Sequence, residues 1–90
     1  MKINLFRVHA QEPEVYDIAD SQTVAQAIER VGDPDFSTAI LDSSGIRRFV
    51  SVYLGVPGEG VRNVKLEQGM ETAIKKGENL TILIADPFTP

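Results

Sequence analysis

The segment from Thr23 to Pro34 does most to restrict what this chain can become. Val24, Ala27, Ile28 and Val31 fall at i, i+3, i+4 and i+7, a spacing that lines one apolar stripe along a helix. Thr23 stands where an N-cap hydroxyl is needed, and Gln26 three residues later completes a capping box. Gly32 suits the left-handed residue that closes a helix, and Pro34 blocks continuation. A helix this short is marginal in water, so its stripe must be laid on something larger. The chain has 90 residues, enough for one small core.

The flanking segments alternate as strands do. In Lys2–His9, Ile3 and Leu5 share one face, while Asn4, Phe6 and Val8 share the other. Gln11-Glu12-Pro13 breaks the pattern, and Glu14–Ile18 then reads as the second strand of an antiparallel hairpin. Phe49–Leu54 reads as the strongest strand, with Val50, Val52 and Leu54 on one face and Phe49, Ser51 and Tyr53 on the other. Gly55–Gly60 is a loop, Val61–Val64 a short strand, and Leu80–Ala85 a last strand with Leu80, Ile82 and Ile84 on one face. Phe36, Ala39, Ile40 and Leu41 predict a partly buried turn of helix, and Asp42-Ser43-Ser44-Gly45 a chain turn. Gly69–Gly77 is irregular, with a brief helical possibility. The order β-β-α-β-β-β gives a small α+β protein, and periodicity alone goes no further.

Composition removes several function classes. Hydrophobic residues make up 42% and charged residues 24%, as in ordinary globular chains. Nine Lys and Arg against 13 Asp and Glu give a net charge of −4, and the basic residues are scattered, so nucleic acid has no electrostatic footprint. No run approaches the roughly 18 apolar residues of a membrane span, and the polar interruptions of Met1-Lys2-Ile3-Asn4-Leu5 make a poor signal peptide. The absence of cysteine excludes disulfides, thiolate metal sites and a cysteine nucleophile, and fits a reducing, cytoplasmic location.

Candidate chemistry is thin. His9 with Glu12 and Glu14 lacks any metal-ligand spacing, and the histidine reads as a strand end. Asp33, Asp35 and Asp42 lack the calcium-loop pattern and read as solvated loop acids. Gly55, Gly58 and Gly60 match neither phosphate-loop spacing, and Ser43-Ser44 lacks a nucleophile-elbow context. The chain is therefore read as a non-enzyme without metal or cofactor.

Two segments carry a resemblance to a known family. Gly45-Ile46-Arg47-Arg48-Phe49-Val50-Ser51-Val52-Tyr53-Leu54 is similar to the strand G-x-R-R-F-V-N-V-Y-V-N of the MoaD/ThiS-type sulfur carriers. Gly69-Met70-Glu71-Thr72-Ala73-Ile74-Lys75-Lys76-Gly77-Glu78-Asn79-Leu80-Thr81-Ile82-Leu83 resembles that family's approach to its last strand, and Thr23-Val24-Ala25-Gln26-Ala27 resembles the opening of its helix. The family includes the small subunit of molybdopterin synthase and the thiamine-pathway sulfur carrier. The resemblance implies a ubiquitin-like β-grasp over residues 1–85, with one main helix on one face of a mixed four- to five-stranded sheet, and a tail at 86–90. It also implies a role in docking on a partner, either an adenylating enzyme or a biosynthetic enzyme subunit, with a monomer when free.

In that family the tail ends in Gly-Gly, whose terminal carboxylate is adenylated and converted to a thiocarboxylate. Glycine fits because a chain without Cβ can thread a narrow channel. Here Phe88 and Thr89 stand where that pair would be, followed by Pro90, so thiocarboxylate transfer departs from the pattern. The expected docking residues are Phe6, Phe49, Tyr53 and Leu83 on the uncovered sheet face, with Asp86, Pro87, Phe88, Thr89 and Pro90 in the tail. The alternative for the aromatic face is that loop residues such as Phe36 or Ile46 fold over it. The alternatives for function are a binding or regulatory subunit that carries no sulfur, and a module that self-associates through an exposed edge strand.

Overall fold

The expected helix forms where its stripe and caps place it. The computed structural model describes residues 1–8 and 10–85. In chain order it contains β1 (Lys2–Arg7), β2 (Glu14–Asp17), α1 (Val24–Val31), α2 (Pro34–Ile40), β3 (Leu41–Asp42), β4 (Gly45–Ile46), β5 (Val50–Gly55), β6 (Val61–Asn63) and β7 (Asn79–Ile84). At the start of α1 the Gln26 N–H donates to Thr23 Oγ1 at 3.2 Å. The Gln26 side chain reaches one residue further back than a capping box requires, its Oε1 accepting from the Gln22 N–H at 2.7 Å. Gly32 ends the helix at φ 71°, a left-handed conformation that any Cβ would strain, and its N–H donates to the Glu29 carbonyl.

The main sheet has five strands in the order β2-β1-β7-β5-β6. β7 lies between β1, to which it runs parallel, and β5, to which it runs antiparallel. The hairpins β1–β2 and β5–β6 occupy the two sides. This is the ubiquitin-like β-grasp order, with the last strand central. Ile3, Leu5, Val50, Val52, Leu54, Leu80 and Ile82 all point to one face and are buried against Val24, Ala27 and Ile28 of α1. Burial of that stripe, rather than intrinsic propensity, stabilises so short a helix.

Strand boundaries differ from the sequence expectation by a residue or two, as strand ends commonly do. β1 stops at Arg7 and β7 starts at Asn79. The expected strand end at His9 and the expected tail lie outside the described residues. The expected turn of helix near Phe36 is a two-turn helix, α2. Asp33 Oδ1 accepts from the Asp35 N–H at 3.0 Å, and Pro34 takes the first helical position, where its missing N–H costs nothing. Pro34 thus both stops α1 and starts α2.

Phe36 is buried on the helix-bearing side and meets Tyr16 edge-on, with ring centroids 4.9 Å apart. The turn at Asp42–Gly45 closes the small hairpin β3–β4, with Asp42 Oδ1 accepting from the Ser44 N–H at 2.8 Å. Between β6 and β7 the chain makes two short 3-10 turns, Val64–Leu66 and Gly69–Glu71, anchored by buried Thr72 and by a bridge between Thr23 and Ala73. At Gly55 an added Cβ would sit 2.8 Å from Val61 Cγ1 and 3.1 Å from the Gly60 carbonyl, so the β5–β6 hairpin closes over a position open only to glycine. Among the described residues no helix is long and apolar enough to cross a membrane.

Candidate docking surface

Strand register sets what the second face of the sheet presents. Phe6, Leu83 and Ser51 are directly paired across β1, β7 and β5, while Asn4, Thr81, Tyr53 and Asn63 form the next row. Residues paired this way share a face, here the one opposite the buried stripe. β1 and β7 run in the same direction, so Val8 and Ala85 leave the sheet at the same end. Phe49 stands there too, its carbonyl accepting from the Ala85 N–H at 3.0 Å. A surface recess of about 330 Å³ results, with Phe6, Val8, Phe49, Ser51, Leu83 and Ala85 in its lining.

The recess is apolar and open. Phe6 and Leu83 are each 41% exposed and Val8 is 59% exposed, although all three are large hydrophobic residues. Exposed apolar side chains are ordinary singly, but their contiguity with half-buried Phe49 gives the arrangement meaning. Of the expected sheet residues, Phe6, Phe49 and Leu83 come together here. Tyr53 lies on the same face but one row away, beside Thr81, and does not line the recess. Val8 and Ser51 line it as well. Their alternation with the core residues already placed them on this face, but only the parallel β1–β7 pairing brings Val8 to Ala85. Phe36 is turned to the other face, and Ile46 packs against the core.

Arg7 also lines the recess, and its charge is matched locally. Its Nε donates to Glu14 Oε2 at 2.8 Å, and the Tyr16 hydroxyl donates to Glu14 Oε1 at 3.0 Å. The hydrogen bond from Arg7, with a smaller contribution from Tyr16, holds the Glu14 carboxyl below the usual carboxylate range. Burial, then the Glu14 hydrogen bond, pushes the Tyr16 hydroxyl up. Both members of the ion pair are well exposed, so it adds little stability; its effect is to fix Arg7 and neutralise the recess rim.

A second polar group lies at the far end of the sheet. The buried Glu78 carboxylate accepts from Arg62 Nε at 3.0 Å, from Arg62 Nη2 at 2.7 Å and from the Lys75 N–H at 2.7 Å. Arg62 also donates to Glu67 and to the Ala73 carbonyl, tying β6 to both 3-10 turns. The Arg62 hydrogen bonds hold the Glu78 carboxyl below its ordinary value against the opposing effect of burial. This network joins chain segments, and its Glu78 and Lys75 also line a separate recess of about 440 Å³ with Met1, Asp20, Ser21 and Ile74.

A wider concavity of about 700 Å³ lies between Arg48, Lys65, Gln68 and Met70, where Lys65 Nζ is engaged by the Arg47 and Arg48 carbonyls. Among the described residues no group of three or more His, Cys, Asp or Glu is placed to hold a metal ion. The arrangement can bind an apolar surface.

No family model matches the sequence, and no curated protein matches it. Solved structures do. CysO in the Amycolatopsis orientalis BexX/CysO complex superposes with a TM-score of 0.68 at 22% identity, over 97% of this chain and 99% of that one. Mycobacterium tuberculosis CysO, described as an antigen, superposes with a TM-score of 0.62 at 24% identity, over 93% of this chain and 99% of that one. At these identities the likeness is one of fold, and the fold is the ubiquitin-like β-grasp.

Proposed function

We propose that this chain is a small docking protein of the sulfur-carrier type. It binds a partner enzyme through the recess at the end of β7 and directs the residues after Ala85 into that partner. The observation that carries this reading is the recess itself: Phe6, Val8, Phe49 and Leu83 are gathered at the point where the central strand leaves the sheet. Central pairing on both sides makes β7 a rigid base for whatever follows it. The similar CysO chain was solved in complex with BexX, which accords with a docking role for this fold, although fold alone does not assign one. The partner is of the class implied by the family resemblance, an adenylating enzyme or a biosynthetic enzyme subunit. The proposed role is recognition, with the chemistry supplied by the partner.

A second form of this reading is a docking subunit without cargo. It corresponds to Phe88 and Thr89 standing, by the family resemblance, at the positions of the carrier's glycine pair. Calorimetric titration with an adenylating enzyme of the same organism tests docking. Leu83→Asp puts a charge in the recess while leaving the buried face intact, and is expected to weaken binding by about 30-fold or more, the scale of an interface hot spot. Binding unaffected by Leu83→Asp and Phe49→Ala removes the docking reading. Intact mass after incubation with ATP and a sulfide source separates the two forms. A mass gain equal to replacing one oxygen by sulfur identifies a carrier, and an unchanged mass the cargo-free subunit.

A further inference from the structure

We propose that the concavity beside Arg48 receives an acidic segment of the docking partner. This rests on the docking role given to the recess and names the partner's chemistry on one flank of it. Charge is the first argument. Arg47 and Arg48 lie far from Lys65 in the sequence but meet it here, with Lys65 Nζ donating to the Arg47 carbonyl at 2.8 Å and to the Arg48 carbonyl at 3.3 Å. Arg47 Nε donates to the Thr38 carbonyl at 2.8 Å, near the end of α2. These acceptors are neutral, so they position the cations without cancelling their charge. Among the described residues none of the three forms an ion pair, whereas Arg7 is matched by Glu14 and Arg62 by Glu67 and Glu78. Asp42 is the acid in the lining, and its Oδ1 is taken by the Ser44 N–H. The local charge is therefore positive, in a protein whose net charge is −4.

The lining is the second argument. Half-buried Ile46 and Met70 give the concavity an apolar part, and methionine adapts to irregular side chains. Cations beside an apolar wall suit a peptide segment that mixes carboxylates with aliphatic groups, more than a free phosphate ion. The Arg48 side chain is exposed and donates no hydrogen bond among the described residues, which leaves its fork open to a carboxylate in bidentate fashion. Continuity is the third argument. Arg48 lines the concavity and Phe49, the next residue, lines the recess, so the two lie side by side. A stable interface takes about 20–30 residues from each partner, more than the recess lining supplies. A protein seated on the recess must extend beyond it, and on this flank it meets the cations.

The test uses the full chain, labelled for amide chemical-shift mapping, and the peptide acetyl-Glu-Glu-Leu-Glu-Glu-amide as probe. The amides of Ser44, Gly45, Arg48, Gln68 and Gly69 are expected to shift to saturation. About 1 M sodium chloride, where the Debye length falls to about 3 Å, should abolish the shifts. Arg48→Glu is expected to weaken the peptide about tenfold or more, because it places like charges together, while its thermal midpoint stays that of the wild type. Leu83→Asp, which alters the recess alone, should leave peptide affinity unchanged. Absent shifts, shifts elsewhere on the chain, or equal affinity in Arg48→Glu overturn the proposal. Inorganic phosphate that moves the same amides with equal affinity overturns it in favour of a free-anion site. The peptide stands in for the partner and avoids Leu83, so failure here is distinct from failure of the docking reading, which the partner titration alone decides.

Discussion

Replacing Arg62 by methionine should cost the fold about 2–3 kcal/mol at neutral pH. Glu78 is only 7% exposed and takes two hydrogen bonds from the Arg62 guanidinium and one from the Lys75 backbone. Methionine keeps an apolar stem but removes the fork, leaving a buried carboxylate with a single donor. Breaking a buried pair in this way costs about 3–5 kcal/mol. Arg62 remains 23% exposed, so water reaches the vacated position and brings the cost below that range, to about 2–3 kcal/mol. A small domain has only about 5–15 kcal/mol in total, so the loss is large enough to measure.

The dependence on pH has a definite sign. Arg62 holds the folded-state Glu78 carboxyl below its ordinary value of 4.5. The stabilisation is therefore fully present above that value and disappears as pH falls through the lower folded-state value. Urea titrations followed by circular dichroism should show the midpoint of Arg62→Met reduced by about 1 M or more at neutral pH. The difference from wild type should narrow in acid, where Glu78 is protonated in both proteins. A neutral-pH loss below about 0.5 kcal/mol, the size of an ordinary surface substitution, would refute the reasoning. So would a loss that is equally large in acid.

Two further substitutions probe the frame that positions the recess. Gly55→Ala should destabilise by about 1–3 kcal/mol in the same urea titration, because the new Cβ meets Val61 Cγ1 at 2.8 Å and the Gly60 carbonyl at 3.1 Å. Thr23→Ala should cost about 1 kcal/mol by removing the hydroxyl that accepts the Gln26 N–H, while helical content at low temperature stays unchanged.

The sequence made the helix and its support legible where local and tertiary demands agreed. Thr23 and Gly32 act at the helix ends as their types predict, because capping is decided by neighbours in the chain, while Gln26 takes the Gln22 N–H in place of the Thr23 N–H that a capping box requires. Alternation in Lys2–Arg7 and Val50–Gly55 correctly separated Ile3, Leu5, Val50, Val52 and Leu54 from the opposite face, because a strand's two faces follow directly from its period. α2 was underestimated because Asp33-Pro34 carries a start signal as well as a stop signal.

The recess was only partly legible. Phe6, Phe49 and Leu83 could be assigned to one face, but their meeting depends on β1 and β7 pairing in parallel, a contact between the two ends of the chain. Tyr53 shares that face and still falls outside the recess, because residues along a strand are spread one row at a time. The Arg62 network was not visible at all. Its partners Glu67, Ala73 and Glu78 converge only through two 3-10 turns that have no periodic signature.

The proposed docking role places partner recognition at the uncovered end of the sheet and not on the helices. Amide chemical-shift mapping of the labelled chain during titration with an adenylating enzyme tests it most directly. The account predicts that the amides of Phe6, Val8, Phe49, Ser51 and Leu83 shift or broaden first, while those of α1 and α2 stay in place. Perturbations confined to α1 and α2, with the recess amides unmoved, would contradict it.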